Sequence, residues 1–237
     1  MLEANRTRIL DMLRPEATVL DVGGWAKPFS RANWVIDLMP HDSRGLYGEV
    51  DPASERFTEE SWLTFDVCDR TPWPFDDKSF DFATCSHTLE DLRDPIWVCS
   101  ELQRVSRAGY IEVPSRLEEQ SLGVNGADWA GWSHHRWLID RAQGALRFVF
   151  KPHVLSADPS FHFPGWFGAA LTPEQRVETH FWEDELHARE VVFAEAEKLR
   201  SYLRDYVSEN IRLQDKPSAE GGAVGRLRRR RAESSRR

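Results

Sequence analysis

The sequence predicts an α/β fold with a mostly parallel sheet covered on both faces. Two observations point there. Strand-length apolar runs recur through the first half, at 17–22, 34–38, 61–67, 79–87 and 109–115, and helical or loop segments separate them. In addition, acidic or polar residues stand where those runs end, as they do when a sheet presents its carboxyl edge to a ligand.

The elements follow in order. Residues 2–14 read as a helix with Ile9, Leu10 and Leu13 on one face, ended before Pro15. ATVLDV is a buried strand running into the turn Gly23-Gly24; WVIDL and SWLTFDV are the second and third strands. PFDDK turns the chain into SFDFATCSH, the fourth. In LEDLRDPIWVCSELQRVS, the spacing of Ile96, Val98, Leu102 and Val105 predicts a helix, and GYIEVPS is the fifth strand. Residues 116–135 form a polar and aromatic loop too long for a mere connector. HRWLIDRAQ reads as a helix stopped at Gly144, ALRFVFK and RVETHFW as strands, and 183–213 as one long helix. The expected domain is 1–213, with 116–175 as a substrate-side insertion or lid, followed by a disordered basic tail at 214–237.

Composition narrows the function classes. Hydrophobic residues make up 41% of 237, which suits a globular core rather than disorder. The ten tryptophans can wall an apolar pocket, though ordinary core and surface packing explains them better. No apolar run approaches the roughly 20 residues of a membrane span, and the start has acids mixed into an amphipathic pattern rather than a signal sequence. Three cysteines without metal spacing suit reduced thiols in a cytoplasmic protein. Residues 226–237 carry seven Arg against one Glu, so the rest of the chain holds −14 of the net −8. An acidic body disfavours nucleic acid in a main cleft.

Asp21, Asp37 and Asp66 fall at the ends of the first three strands, and Ser86-His87 at the end of the fourth. A carboxylate after the second strand can accept both hydroxyls of a ribose. One after the third can accept from an adenine amine, and Asp21 can meet an ammonium. Each alone reads more readily as a turn or cap residue; three on successive strands beside a glycine turn tip the reading to a nucleoside ligand.

The stretch FDVCDRTPWPFDDKSFDFATCSHTLEDLRDPIWVCSELQRVSRAGYIEVPS resembles the core of class I S-adenosylmethionine-dependent methyltransferases, the group with the pattern D…PFxDxSFD…HxLEHxxDP…E…RVxxxGxxxxxVPS. With the first two strands included, the resemblance covers about residues 15–115. It implies a Rossmann-like three-layer sandwich with a seven-stranded sheet, mostly parallel, whose last strand is antiparallel. It also implies S-adenosyl-L-methionine as cofactor. Asp21, Gly23 and Gly24 would face its methionine part, Asp37 the ribose and Asp66 the adenine, with Val67 against the ring and Ser86 beside the cofactor. His87 ends the strand, caps the next helix, or faces the site.

Two departures stand out. The family's alternating glycines are replaced by Trp25 and Lys27, and AKPFSRAN leaves little room for a helix before Asp37. S-adenosylmethionine carries no phosphate, so losing a helix N-terminus costs it less than it would a dinucleotide. The second departure is LED at 89–91, where the pattern has Leu-Glu-His.

The acceptor side falls to GADWAGWSHHRW. Methyl transfer to a hydroxyl needs the acceptor placed and its proton removed, and an imidazole suits the second task. His134 and His135 are the candidate catalytic residues; capping a helix is their alternative role. No metal is expected, since neither HxH nor HxxxH spacing joins them to His153 or His162. The sequence thus suggests methylation of a small molecule or sugar, preferably on oxygen. A catalytically inactive binding or assembly protein of the same fold is the alternative, and a homodimer through the C-terminal helix stays open.

Overall fold

The computed structural model describes residues 1–46 and 51–214; the predicted basic tail at 214–237 lies, but for its first residue, outside them. In chain order the elements are α1 (Glu3–Met12), β1 (Val19–Val22), β2 (Trp34–Asp37), β3 (Trp62–Thr64), β4 (Phe80–Ser86), α2 (Pro95–Val105) and β5 (Ser106–Pro114). There follow α3 (Arg116–Glu119), β6 (Leu122–Gly123), β7 (Gly126–Ala130), β8 (Trp137–Ala142), β9 (Ala145–Phe150), α4 (Val154–Ala157) and α5 (Gly165–Ala170). The last are β10 (Val177–Glu183), β11 (Ala188–Glu190) and α6 (Ala196–Asn210).

The main sheet has the order β10-β5-β4-β1-β2-β3, parallel throughout except for β10, which runs antiparallel to β5. The α/β class and the antiparallel last strand are as predicted. Six strands stand where seven were expected among the described residues, because β8, β9 and β11 build a separate sheet.

Period-two alternation sorts the strands' side chains onto two faces. Val19, Val35, Phe82 and Tyr110 face α1, where Ile9 is its one buried residue. Leu20, Ile36, Cys85 and Ile111 face α2, whose Val98, Cys99, Leu102 and Val105 close that layer. Helix α2 begins at Pro95 rather than Leu89, because Asp94 caps it: the Asp94 carboxylate accepts from Trp97 N–H at 3.1 Å, and proline suits the first helical turn. All three cysteines are free and buried.

The second half departs from expectation in instructive ways. HRWLIDRAQ is a strand, not a helix. Gln143 and Gly144 both have positive φ (55° and 79°), the two-residue turn that matches strand twist, and β8 and β9 pair antiparallel across it. One face of this hairpin (Trp137, Ile139, Leu146, Phe148) packs on α2 and the main sheet; the other (Leu138, Val149) packs under Leu203 of α6. The predicted helix at 183–213 forms only from Ala196. Before it, Asp184 turns with φ 59° and β11 joins β9. The 116–135 loop contains α3 and the β6–β7 hairpin. Arg116 of α3 lies between the rings of Tyr202 and Tyr206, 3.9 and 3.8 Å from their centroids, tying α6 to the domain.

Where β5 passes between β4 and β10, only hydrogen fits at Gly109: a Cβ there would lie 2.6 Å from Ala83 O and 2.7 Å from the Trp182 ring. Gly109→Ala is expected to lower stability by about 1–3 kcal/mol, read as a lower urea midpoint at unchanged m-value.

Candidate active site

The strand order reverses at β1, which leads to β2 and β3 on one side and to β4 on the other. Such a switch opens a crevice at the carboxyl ends of the strands. A cavity of about 520 Å³ lies there, lined by Asp21, Gly23 and Gly24 after β1, Ser86 and His87 after β4, and Glu112 of β5. Residues of the 116–175 segment, among them Glu118, Trp132, His134 and His135, complete its wall.

The β1 end is built by Asp21. Its carboxylate accepts from Phe29 N–H (2.8 Å) and the Thr84 hydroxyl (2.6 Å), so it anchors the β1–β2 connection, which takes no helical turn. Burial pushes its pKa up to about 6, against the opposing pull of those two hydrogen bonds. Gly24 rides on this carboxylate: a Cβ would come within 2.3 Å of Oδ2. Gly23 adopts φ 74° with its N–H on Ile36 O.

At the β4 end, His87 takes φ 53°, uncommon for a non-glycine residue. Its N–H donates to Glu112 O at 2.8 Å, and its Nε2 stands 3.2 Å from the Glu112 carboxylate. Burial draws the imidazole pKa down, but Glu112 and Glu90 outweigh it and lift it to about 9. Glu112, buried, would be raised by its surroundings; His87, the Tyr110 hydroxyl and Leu2 N–H hold it down at about 2. Two buried polar atoms on cavity-lining residues, Ser86 Oγ and Glu90 Oε2, have no hydrogen-bond partner.

The expected nucleoside end is differently arranged. Asp37 is buried, and its oxygens accept from Trp25 N–H (3.0 Å) and Met39 N–H (2.8 Å). Burial raises its pKa against those two hydrogen bonds. Trp25 turns its indole N–H to Ser43, O at 2.7 Å, and packs against the core on the α1 side. Asp66 lies beyond β3, bound to Arg93 (2.8 Å) and Cys68 N–H (2.9 Å). Burial would raise its pKa; those partners outweigh it and keep it low. Val67 is in the core. None of these three predicted contacts lines the cavity; the strand-end positions are right, but backbone donors and an arginine already serve the carboxylates.

His134 and His135 occupy a turn before β8 rather than the start of a helix, because the segment after them is a strand. Both line the cavity. His135 Nδ1 is 2.7 Å from Glu119 Oε1, and Glu119, fully buried, also holds Lys151. Glu90, Glu112 and Glu119 were not singled out from the sequence. Glu112 carried a signal as the acid inside GYIEVPS at a fifth strand end, and Glu90 as the acid of LED that matches the Leu-Glu-His pattern.

A parallel sheet with this switch-point cavity is the architecture of a nucleotide-type cofactor domain. Residues 47–111, from before β3 into β5, match the methyltransferase domain family. Over that segment the chain is similar to this family. No curated protein matches the chain. Among solved structures, it is similar to the complex between the Trm112 methyltransferase activator and a putative methyltransferase of Haloferax volcanii, with 20% identity, 47% of this chain and 57% of that one covered, and a TM-score of 0.33. A second is an S-adenosylmethionine-dependent methyltransferase of Thermotoga maritima, titled a possible histamine N-methyltransferase (18%, 48% and 52%, 0.35). A third is one from Mesorhizobium loti (16%, 61% and 62%, 0.36). The chain spans about half the length of the first of these. No helix of the described residues is long and apolar enough to cross a membrane.

The chemistry of the lining is compatible with the methionine end of S-adenosylmethionine, the cofactor that the sequence resemblance implies. A cationic sulfonium and ammonium suit a wall where Glu90 leaves a buried carboxylate oxygen unpartnered, and Ser86 leaves a hydroxyl free. Gly23 and Gly24 allow close backbone approach.

Proposed function

We propose that the protein transfers a methyl group from S-adenosylmethionine to an oxygen of a small-molecule or sugar acceptor. The observation that carries this is the Glu119–His135 pair on the cavity wall. With Nδ1 engaged by the Glu119 carboxylate at 2.7 Å, His135 turns its Nε2 edge to the cavity as the proton acceptor. That is how a carboxylate orients an imidazole to take a proton. The bound cofactor supplies the electrophilic methyl; Glu90 and Ser86 hold its charged end, and Trp132, stacked near His135 at 5.8 Å, limits water. His134, exposed at the rim, orients the acceptor.

Binding of S-adenosylhomocysteine by calorimetry, followed by transfer assays over an acceptor panel, tests this. His135→Ala is expected to lower kcat about 10²–10⁴-fold with little change in S-adenosylhomocysteine affinity. No binding at millimolar ligand sinks the enzyme reading. It would favour the second one, a binding or assembly protein of this fold. The occupied oxygens of Asp37 and Asp66 speak for that alternative.

A further inference from the structure

We infer that Asp91, His134 and His135 form a site for one divalent transition-metal ion at the rim of the cavity. The three side chains bring a carboxylate oxygen and two imidazole nitrogens within 4.8 Å of one another. Asp91 Oδ1 lies 4.0 Å from Nε2 of each histidine. Ligands held about 2.1 Å from a tetrahedral ion stand about 3.4 Å apart. Closure therefore draws the three donors together by about 1 Å, and the side chains that must move, Asp91 and His134, are exposed (45% and 57%).

A second feature points the same way. Glu119 stands against His135 Nδ1 and is itself paired with Lys151, which leaves Nε2 on the side of Asp91. A buried carboxylate behind a ligating imidazole is how proteins orient such ligands and raise their basicity. The Trp132 ring beside both imidazoles, 5.9 and 5.8 Å away, restricts them further.

The donor set decides the ion class. Two imidazoles and one carboxylate suit Zn²⁺ and its neighbours, whereas Mg²⁺ and Ca²⁺ prefer all-oxygen sites. Three protein ligands leave coordination open, and because all three residues line the cavity, the open position is reached from it. It would take an oxygen donor, a hydroxyl or carboxylate. That this donor is the methyl acceptor rests on the proposed function; metal binding does not. In the metal-loaded protein His135 serves as a ligand, and acidification of the bound hydroxyl replaces its work as a base.

The test is titration of the metal-free full chain with Zn²⁺ by calorimetry, and with Co²⁺ followed by visible absorption. One ion per chain is expected, at micromolar Kd or tighter. His134→Ala and Asp91→Asn should each weaken it at least about tenfold, and Glu119→Gln by about 10–100-fold. His153→Ala, outside the cluster, should leave it unchanged. Absence of binding below about 100 μM, an affinity indifferent to His134→Ala and Asp91→Asn, or loss through His153→Ala overturns the inference. S-adenosylhomocysteine calorimetry on the same samples reads the methyltransferase proposal separately. A chain that binds the nucleoside but no Zn²⁺ loses only the metal site.

Discussion

Gly23→Val is expected to reduce S-adenosylhomocysteine affinity by more than about 100-fold, near 2.7 kcal/mol. The reason is local and double. At φ 74° a β-branched residue is strained, and a Cβ at this position would lie 2.2 Å from Thr88 Oγ1 and 2.3 Å from Thr88 Cγ2. Thr88 is buried and its hydroxyl faces the carbonyls of Gly23 and Ser86, so it cannot retreat without disturbing both strand ends that line the cavity. Gly144→Ala is the matched control. Gly144 has φ 79° but open space around it, so about 1 kcal/mol of stability is lost and binding is untouched. Calorimetry on both variants, each with a thermal melt, separates a blocked site from a damaged fold. Equal affinity in Gly23→Val and the parent would remove the β1 turn from the binding site.

Glu112→Gln is expected to lower stability at pH 5.5 by about 2–4 kcal/mol and to flatten the pH profile on both sides. Glu112 falls from an ordinary 4.5 to about 2 in the fold, so its contribution is complete above pH 4.5 and is lost as pH falls toward 2. His87 rises from 6.5 to about 9, so its contribution is complete below pH 6.5 and is lost as pH rises toward 9. The parent protein should therefore be most stable between those limits. His87 is 44% exposed, which screens the pair and keeps the expected loss below what the two shifts alone would give. Glutamine can still accept from Leu2 N–H and Tyr110, so the change tests the charge rather than the packing. Urea midpoints from pH 3 to pH 9 check it; a variant profile parallel to the parent's would show that the pair does not set the pH limits.

Strand periodicity made the main sheet legible, because β1, β2, β4 and β5 are buried through most of their length. Gly23-Gly24 and Ser86-His87 were readable as strand-end positions for the same reason. The β8 strand was not, since WLID is apolar in a run that a buried helix also produces, and the decisive signal was the small turn Gln143-Gly144. The long helix at 183–213 failed because heptad-like spacing survives in a segment that an edge strand claims first. The site was legible on one side only. Asp37 and Asp66 stand where the pattern puts them, yet nothing in the sequence reveals that Trp25 N–H and Arg93 reach their oxygens. The Asp91 cluster was invisible because its ligands come from distant segments, and Asp91 is the residue that breaks the LEH pattern.

The three cysteines have a practical consequence. Cys68, Cys85 and Cys99 are every thiol in the chain, and each is enclosed by the core between the main sheet and α2. Burial pushes the Cys99 thiol up to about 12 and raises the other two, so the native state offers a maleimide no reactive thiolate. The protein thus carries its own unlabelled-to-labelled clock: dye uptake counts openings of the fold itself, and its slowing by ligand measures occupancy of the cavity without any assay of turnover.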